Sequence, residues 1–238
     1  MNPEITIVGF PKCGTSALMR RFENDSDMRV LRTSEGALEV AWTLIRDIRP
    51  APEPGRILVH KWTAYVYRRK AIEYLVEINP RSLLVLCVRD PARALVSWHN
   101  MHRNIARSGR NTSHFAWKER DFYGEAALPD YYERYARQRL QYDRHLGTLL
   151  EVVPRERLVV VSQERMAEDI DAVALYLKAL ARGEATCAQV ARPGSVPKHK
   201  GYADKADIVL DKAMLKELAG VQGRLQTLVV EKVLHKCI

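Results

Sequence analysis

Gly9 and Gly14 bracket the stretch Gly9-Phe10-Pro11-Lys12-Cys13-Gly14-Thr15-Ser16, directly after the apolar run Ile5-Thr6-Ile7-Val8. Glycines at that spacing, between a strand and a helix, let successive backbone N–H groups and a helix N-terminus converge on a cluster of anionic oxygens. A Walker A loop places lysine immediately after its second glycine, then Ser or Thr for magnesium. Here Thr15 and Ser16 follow Gly14, and the lysine stands earlier, at Lys12. The loop keeps a cation for an anionic ligand but lacks the residue that serves γ-phosphate chemistry on ATP. Read alone, it is either a phosphate cradle or a plain strand-to-helix turn with a solvated Lys12.

Two further sequences follow apolar runs. Cys87-Val88-Arg89-Asp90-Pro91 closes the run Leu83 to Val88, and Ser97 stands two helical turns beyond Arg89. A guanidinium fork reads phosphate oxygens bidentately, and a hydroxyl from the next helix completes such a grip. The alternative is an Arg-Asp pair capping a helix, with Pro91 in its first turn. His60 follows Ile57-Leu58-Val59. An imidazole titrates near neutrality, which suits a general base; the alternative is a histidine satisfied by a carbonyl at a strand end. Lys61 is a second cation at that end, able to neutralise anionic oxygens. Glu35, in Thr33-Ser34-Glu35-Gly36, is either a substrate-side carboxylate or a solvated loop acid.

The segment Pro11-Lys12-Cys13-Gly14-Thr15-Ser16 resembles the 5′-phosphosulfate loop of the PAPS-dependent sulfotransferases, and Val88 to Ser97 resembles that family's 3′-phosphate signature. The resemblance implies PAPS as cosubstrate and PAP as product, with no metal. Pro11, Lys12, Cys13, Gly14, Thr15 and Ser16 would then hold the 5′-phosphosulfate, Lys12 stabilising the bridging oxygen as the nucleotide leaves. Arg89 and Ser97 would grip the 3′-phosphate. Lys198-His199-Lys200-Gly201 resembles a late loop that folds over the nucleotide in some members, so Lys200 and Gly201 join the donor contacts or stay solvated. His60-Lys61-Trp62-Thr63-Ala64-Tyr65 resembles the Glu-Lys-Thr-Pro-x-Tyr segment of heparan-type members, where a glutamate stands in the place of His60. With Lys12, His60 completes the expected catalytic pair. Pro154 to Val161 with Glu164 resembles a late strand and acidic turn, read as structural. The resemblance spans about residues 5 to 201.

The acceptor side is expected at Glu35, Lys61, Trp98 and His102. Arg103, Arg107 and Arg110 share one face of a continued helix and either receive an anionic acceptor or, the favoured reading, are solvated. Phe115, Trp117, Phe122, Tyr123, Tyr131 and Tyr132 line an acceptor cleft or pack a loop. His99 and His102 have no third ligand in sight, so no metal site is expected.

These residues need elements to carry them. Ile5–Val8, Ile57–Val59, Leu83–Val88 and Arg157–Val161 read as short buried strands. Helical stretches are expected after Ser16, from Arg68 to Ile78, from Ala92 to His102, from Tyr131 to Val153 and from Ala167 to Ala181, and two more finish the chain. Strands alternating with helices predict an α/β fold, a P-loop-like parallel sheet with helices on both faces. Ligands bind beyond the carboxyl ends of such strands, where all three sequences fall. With 238 residues, 47% hydrophobic and 28% charged, the chain fits one domain over 1–238, its core at about 5–182 and a C-terminal loop and helices at 183–238.

A net charge of +9 makes a polyanion a plausible partner without naming it. Four scattered cysteines and no membrane-length apolar run predict a cytoplasmic address without membrane insertion. The expected acceptor is a small molecule, glycoside or carbohydrate. The rival readings are a small P-loop kinase, needing ATP, magnesium and Asp90 as metal ligand, and a basic nucleic-acid-binding protein. For the latter no recognition helix or aromatic RNA motif is found, so no nucleic-acid partner is expected.

Overall fold

Continuous apolar runs are the signature of strands buried on both faces, and they form the middle of the sheet. In a computed structural model the described residues are 4–31, 53–78, 80–108, 120–184, 210–233 and 235–237. Glu35, Arg110, Phe115, Trp117, Lys200 and Gly201 lie outside them. Strands β1 (Glu4–Gly9), β2 (Met28–Leu31), β3 (Ile57–Lys61), β4 (Leu83–Val88), β5 (Leu158–Ser162) and β6 (His235–Cys237) make one sheet in the order β2-β3-β1-β4-β5-β6. Every pairing is parallel.

From β1 the chain passes through α1 (Thr15–Glu23) out to the edge at β2, returns to β3, then crosses by α2 (Arg69–Ile78) to β4 on the other side of β1. The direction of winding reverses there, so right-handed crossovers put α1 and α2 on opposite faces. The other α-helices among the described residues are α3 (Pro91–Arg107), α4 (Arg120–Glu125), α5 (Leu128–Tyr131), α6 (Tyr142–Val152), α7 (Gln163–Glu168), α8 (Ile170–Arg182) and α9 (Lys212–Lys232). α1 packs with α8, while α6 packs with α2 and α9, and α9 also with α3.

All four expected strands form. Two features depart from the sequence reading. β2 and β6 are additional edge strands; of the two helices expected to finish the chain, α9 lies among the described residues, and 202–209 lie outside them. The expected helix over Tyr131–Val153 divides into α5, a π-helical turn over Tyr132–Ala136 and α6, because the chain bends at Gln141 (φ −75°, ψ 66°).

Candidate functional site

The crevice between β1 and β4 is the point where the winding reverses, and the loop after β1 begins in contact with β4. Phe10 N–H donates to Cys87 O at 3.4 Å. Gly9 (φ 146°) leaves room for that approach: a Cβ there would stand 2.6 Å from the Cys87 carbonyl. Lys12 adopts φ 66° and Gly14, which caps α1, φ 86°. A left-handed conformation at a lysine costs about 1–3 kcal/mol and persists only where its surroundings enforce it. Arg89, at the end of β4, supplies one restraint: its Nη1 donates to Lys12 O at 3.2 Å. Cys13 supplies another, wholly buried with its Sγ 3.5 Å from Tyr142 Oη.

The charges at this crevice are conditioned by burial. Burial, then the neighbouring Arg89, holds the Lys12 ammonium below its ordinary pKa. Burial, then Arg20, does the same for Lys61, whose Nζ donates to Ser16 Oγ at 2.9 Å. The Cys13 thiol is pushed up to about 12, chiefly by burial, and is therefore inert at neutral pH. Arg89 Nε is buried with no hydrogen-bond partner among the described residues, as is Glu164 Oε1. A guanidinium N–H left in that state has a free donor for an anionic oxygen.

Pro11, Lys12, Cys13, Gly14, Thr15, Ser16 and Arg89 thus come together. Ser97 is half-buried on α3 and shares a helix face with Met101, whose Sδ lies 3.9 Å from Lys12 Nζ. Asp90, the metal ligand of the kinase reading, caps α3 by accepting from Arg93 N–H at 2.8 Å, with Pro91 in the first turn.

Two expectations are corrected. His60 is not on the rim with Lys12. Its register partner is Thr6, three residues before the loop begins, and the alternation of β3 turns it to the face opposite Lys61. Only 5% exposed, its Nε2 lies 2.9 Å from Glu4 Oε1 and 2.8 Å from Thr6 Oγ1. Thr6 Oγ1 in turn lies 2.9 Å from Ser82 Oγ. Both contacts fall on one ring nitrogen, Nε2, so His60, Glu4, Thr6 and Ser82 form a buried hydrogen-bond cluster.

Trp98 and His102 do not face an acceptor either; both are buried. Trp98 Nε1–H donates to His102 Nε2 at 3.1 Å. The imidazole proton is then on Nδ1, which lies 3.0 Å from Tyr131 Oη. The rings of Tyr123, Tyr131 and Tyr135 enclose them. His99 Nε2 is engaged with Ala126 O at 2.9 Å. Tyr123 and Tyr131 are accordingly core residues.

Tyr142 and Glu164 border the loop without having been assigned to the site from sequence. A lone tyrosine opening a helix carries no signal that would have singled it out.

Against solved structures, the chain is similar to a sulfotransferase from Alicyclobacillus acidocaldarius, with 19% identity, a TM-score of 0.62 and coverage of 97% of this chain and 96% of that one. It is also similar to mouse sulfotransferase SULT7A1 complexed with PAP, with 14% identity, a TM-score of 0.55 and coverage of 95% and 85%. The fold is that of the sulfotransferases. No protein-family model matches the sequence, and no curated protein matches it either. Among the described residues, no helix is long and apolar enough to cross a membrane.

Proposed function

We propose that this chain is a PAPS-dependent sulfotransferase acting on a hydroxyl or amine of a small-molecule, glycoside or carbohydrate acceptor. The observation that carries the reading is the meeting of Arg89 with Lys12. Cations from the ends of two adjacent strands share one crevice, and one of them keeps a buried, unpartnered N–H. In this reading Arg89 and Ser97 bind the 3′-phosphate, while the amides of Gly14, Thr15 and Ser16 bind the 5′-phosphosulfate. Lys12 neutralises the departing phosphate oxygen as its bond to sulfur breaks. Lys61, hydrogen-bonded to Ser16, neutralises the sulfuryl oxygens while the acceptor's bond to sulfur forms and the acceptor's proton passes to solvent. Such positioned charges act strongly where water is excluded, and the partial burial of both lysines supports that role. His60 has no part in this scheme.

Titration calorimetry tests the donor assignment. PAP is expected to bind without metal, and Arg89→Ala to weaken it by at least about tenfold, as loss of a charge-assisted hydrogen bond does. Binding of ATP with magnesium in preference to PAP, or absence of PAP binding, would sink the assignment. A screen of acceptors with labelled PAPS then identifies the second substrate.

A further inference from the structure

Behind the loop stands a contact that the donor assignment leaves unused. Tyr142, at the start of α6, is wholly buried, and its ring stacks on Phe10 with centroids 3.8 Å apart and planes 19° apart. Its hydroxyl lies 3.5 Å from Cys13 Sγ, which also lies 3.7 Å from Pro11 O. One tyrosine therefore touches the loop at both ends of Phe10-Pro11-Lys12-Cys13, and the left-handed Lys12 lies between its contacts. Cys13 is turned fully inward, while Pro11, Lys12 and Gly14 are only half-buried and Ser16 is exposed. A loop pinned inward at Cys13 must present its neighbours outward. Burial keeps both the thiol and the phenol protonated at neutral pH, so the contact is a neutral hydrogen bond that persists across the working pH range.

We propose that Tyr142 is a positioning residue for the donor loop, holding Cys13 inward so that Lys12 and the amides of Gly14 to Ser16 face the crevice. The PAP part of this proposal rests on the donor reading above; the clamp itself does not. Tyr142→Phe keeps the stack on Phe10 and removes only the hydroxyl.

The test measures iodoacetamide labelling of Cys13 by peptide mass, with the equally buried Cys87 on β4 as an internal control, beside PAP affinity by calorimetry. In Tyr142→Phe, Cys13 labelling is expected to rise at least about tenfold with Cys87 unchanged. PAP affinity should fall about twofold to tenfold, the range of one lost neutral hydrogen bond. In a Cys13→Ala background, adding Tyr142→Phe should cost PAP affinity nothing further, because the contact is already gone. Unchanged Cys13 labelling overturns the clamp. So does a parallel rise at Cys87, which would mean general loosening of the core. If the wild type binds no PAP, the donor reading falls, and the ratio of Cys13 to Cys87 labelling still decides the clamp.

Discussion

At the scale of single residues, the carboxyl end of β3 divides its work by parity. Lys61 reaches Ser16 at the loop, while its neighbour His60 faces the other side of the sheet and joins Glu4 and Thr6. Arg157 closes this second cluster, its Nε donating to Ser82 O at 3.0 Å. Glu4 is buried and hydrogen-bonded to the imidazole, and leucine offers it no donor, so His60→Leu is expected to destabilise the fold by about 2–3 kcal/mol in urea. PAP affinity should stay within about twofold of wild type, since no donor contact is removed. A His60→Leu protein of full stability with PAP binding or turnover lowered a hundredfold would return the histidine to the reaction. Adjacent His and Lys at a strand end look equally suited to the rim. Only the register against β1 decides which of them reaches it, and register is not written in the residues themselves.

At the scale of elements, two glycines with left-handed backbones make a contrast. Gly9 faces the Cys87 backbone, whereas Gly183, which ends α8 at φ 75°, has open space around it. Gly9→Ala is expected to cost about 3–5 kcal/mol, adding a backbone clash to conformational strain. Gly183→Ala should cost only about 1 kcal/mol, the conformational part alone. Equal costs in urea unfolding would refute the close approach of β1 to β4. The central strands were legible because strands buried on both faces are unbroken apolar runs. β2 escaped because Met28-Arg29-Val30-Leu31 is a half-buried edge with a charge in it, and β6, with His235 and Lys236, reads as polar. Lys12, Gly14 and Arg89 were legible because they stand where strands stop. Trp98 and His102 were misread by one helical step: Ser97 and Met101 lie on the loop side of α3, and the positions after them turn into the core.

At the scale of the whole molecule, the turn between α1 and β2 is tied to α8. Lys178 Nζ lies 2.9 Å from Asp25 Oδ2 and 2.8 Å from Asp27 Oδ2, and Arg182 joins Asp27 at 2.9 Å. Burial alone would raise the Asp25 pKa, but Lys178 and the Asp27 amide hold it below the ordinary value, and Lys178 and Arg182 lower Asp27. Lys178 itself is raised, first by its bond to Asp27. The carboxylates therefore contribute stability fully above about pH 4 and lose it as pH falls through their lower folded values; Lys178 contributes fully below about pH 10 and loses it as pH rises through its folded value. Lys178→Met is expected to lower Tm at pH 7 by about 2–4 °C and to flatten both limbs of the Tm–pH curve. An unchanged acid limb would mean that the cluster contributes nothing. The strand order has a temporal consequence as well. β1 leaves the ribosome before either of its neighbours, and Ile5 has no partner until Val59 on one side and Leu83 on the other have been made. Such distant pairings are slow to find. The apolar ribbon that carries the phosphate loop therefore waits unpaired until β3 and then β4 have been made, and in that interval it is open to wrong pairings.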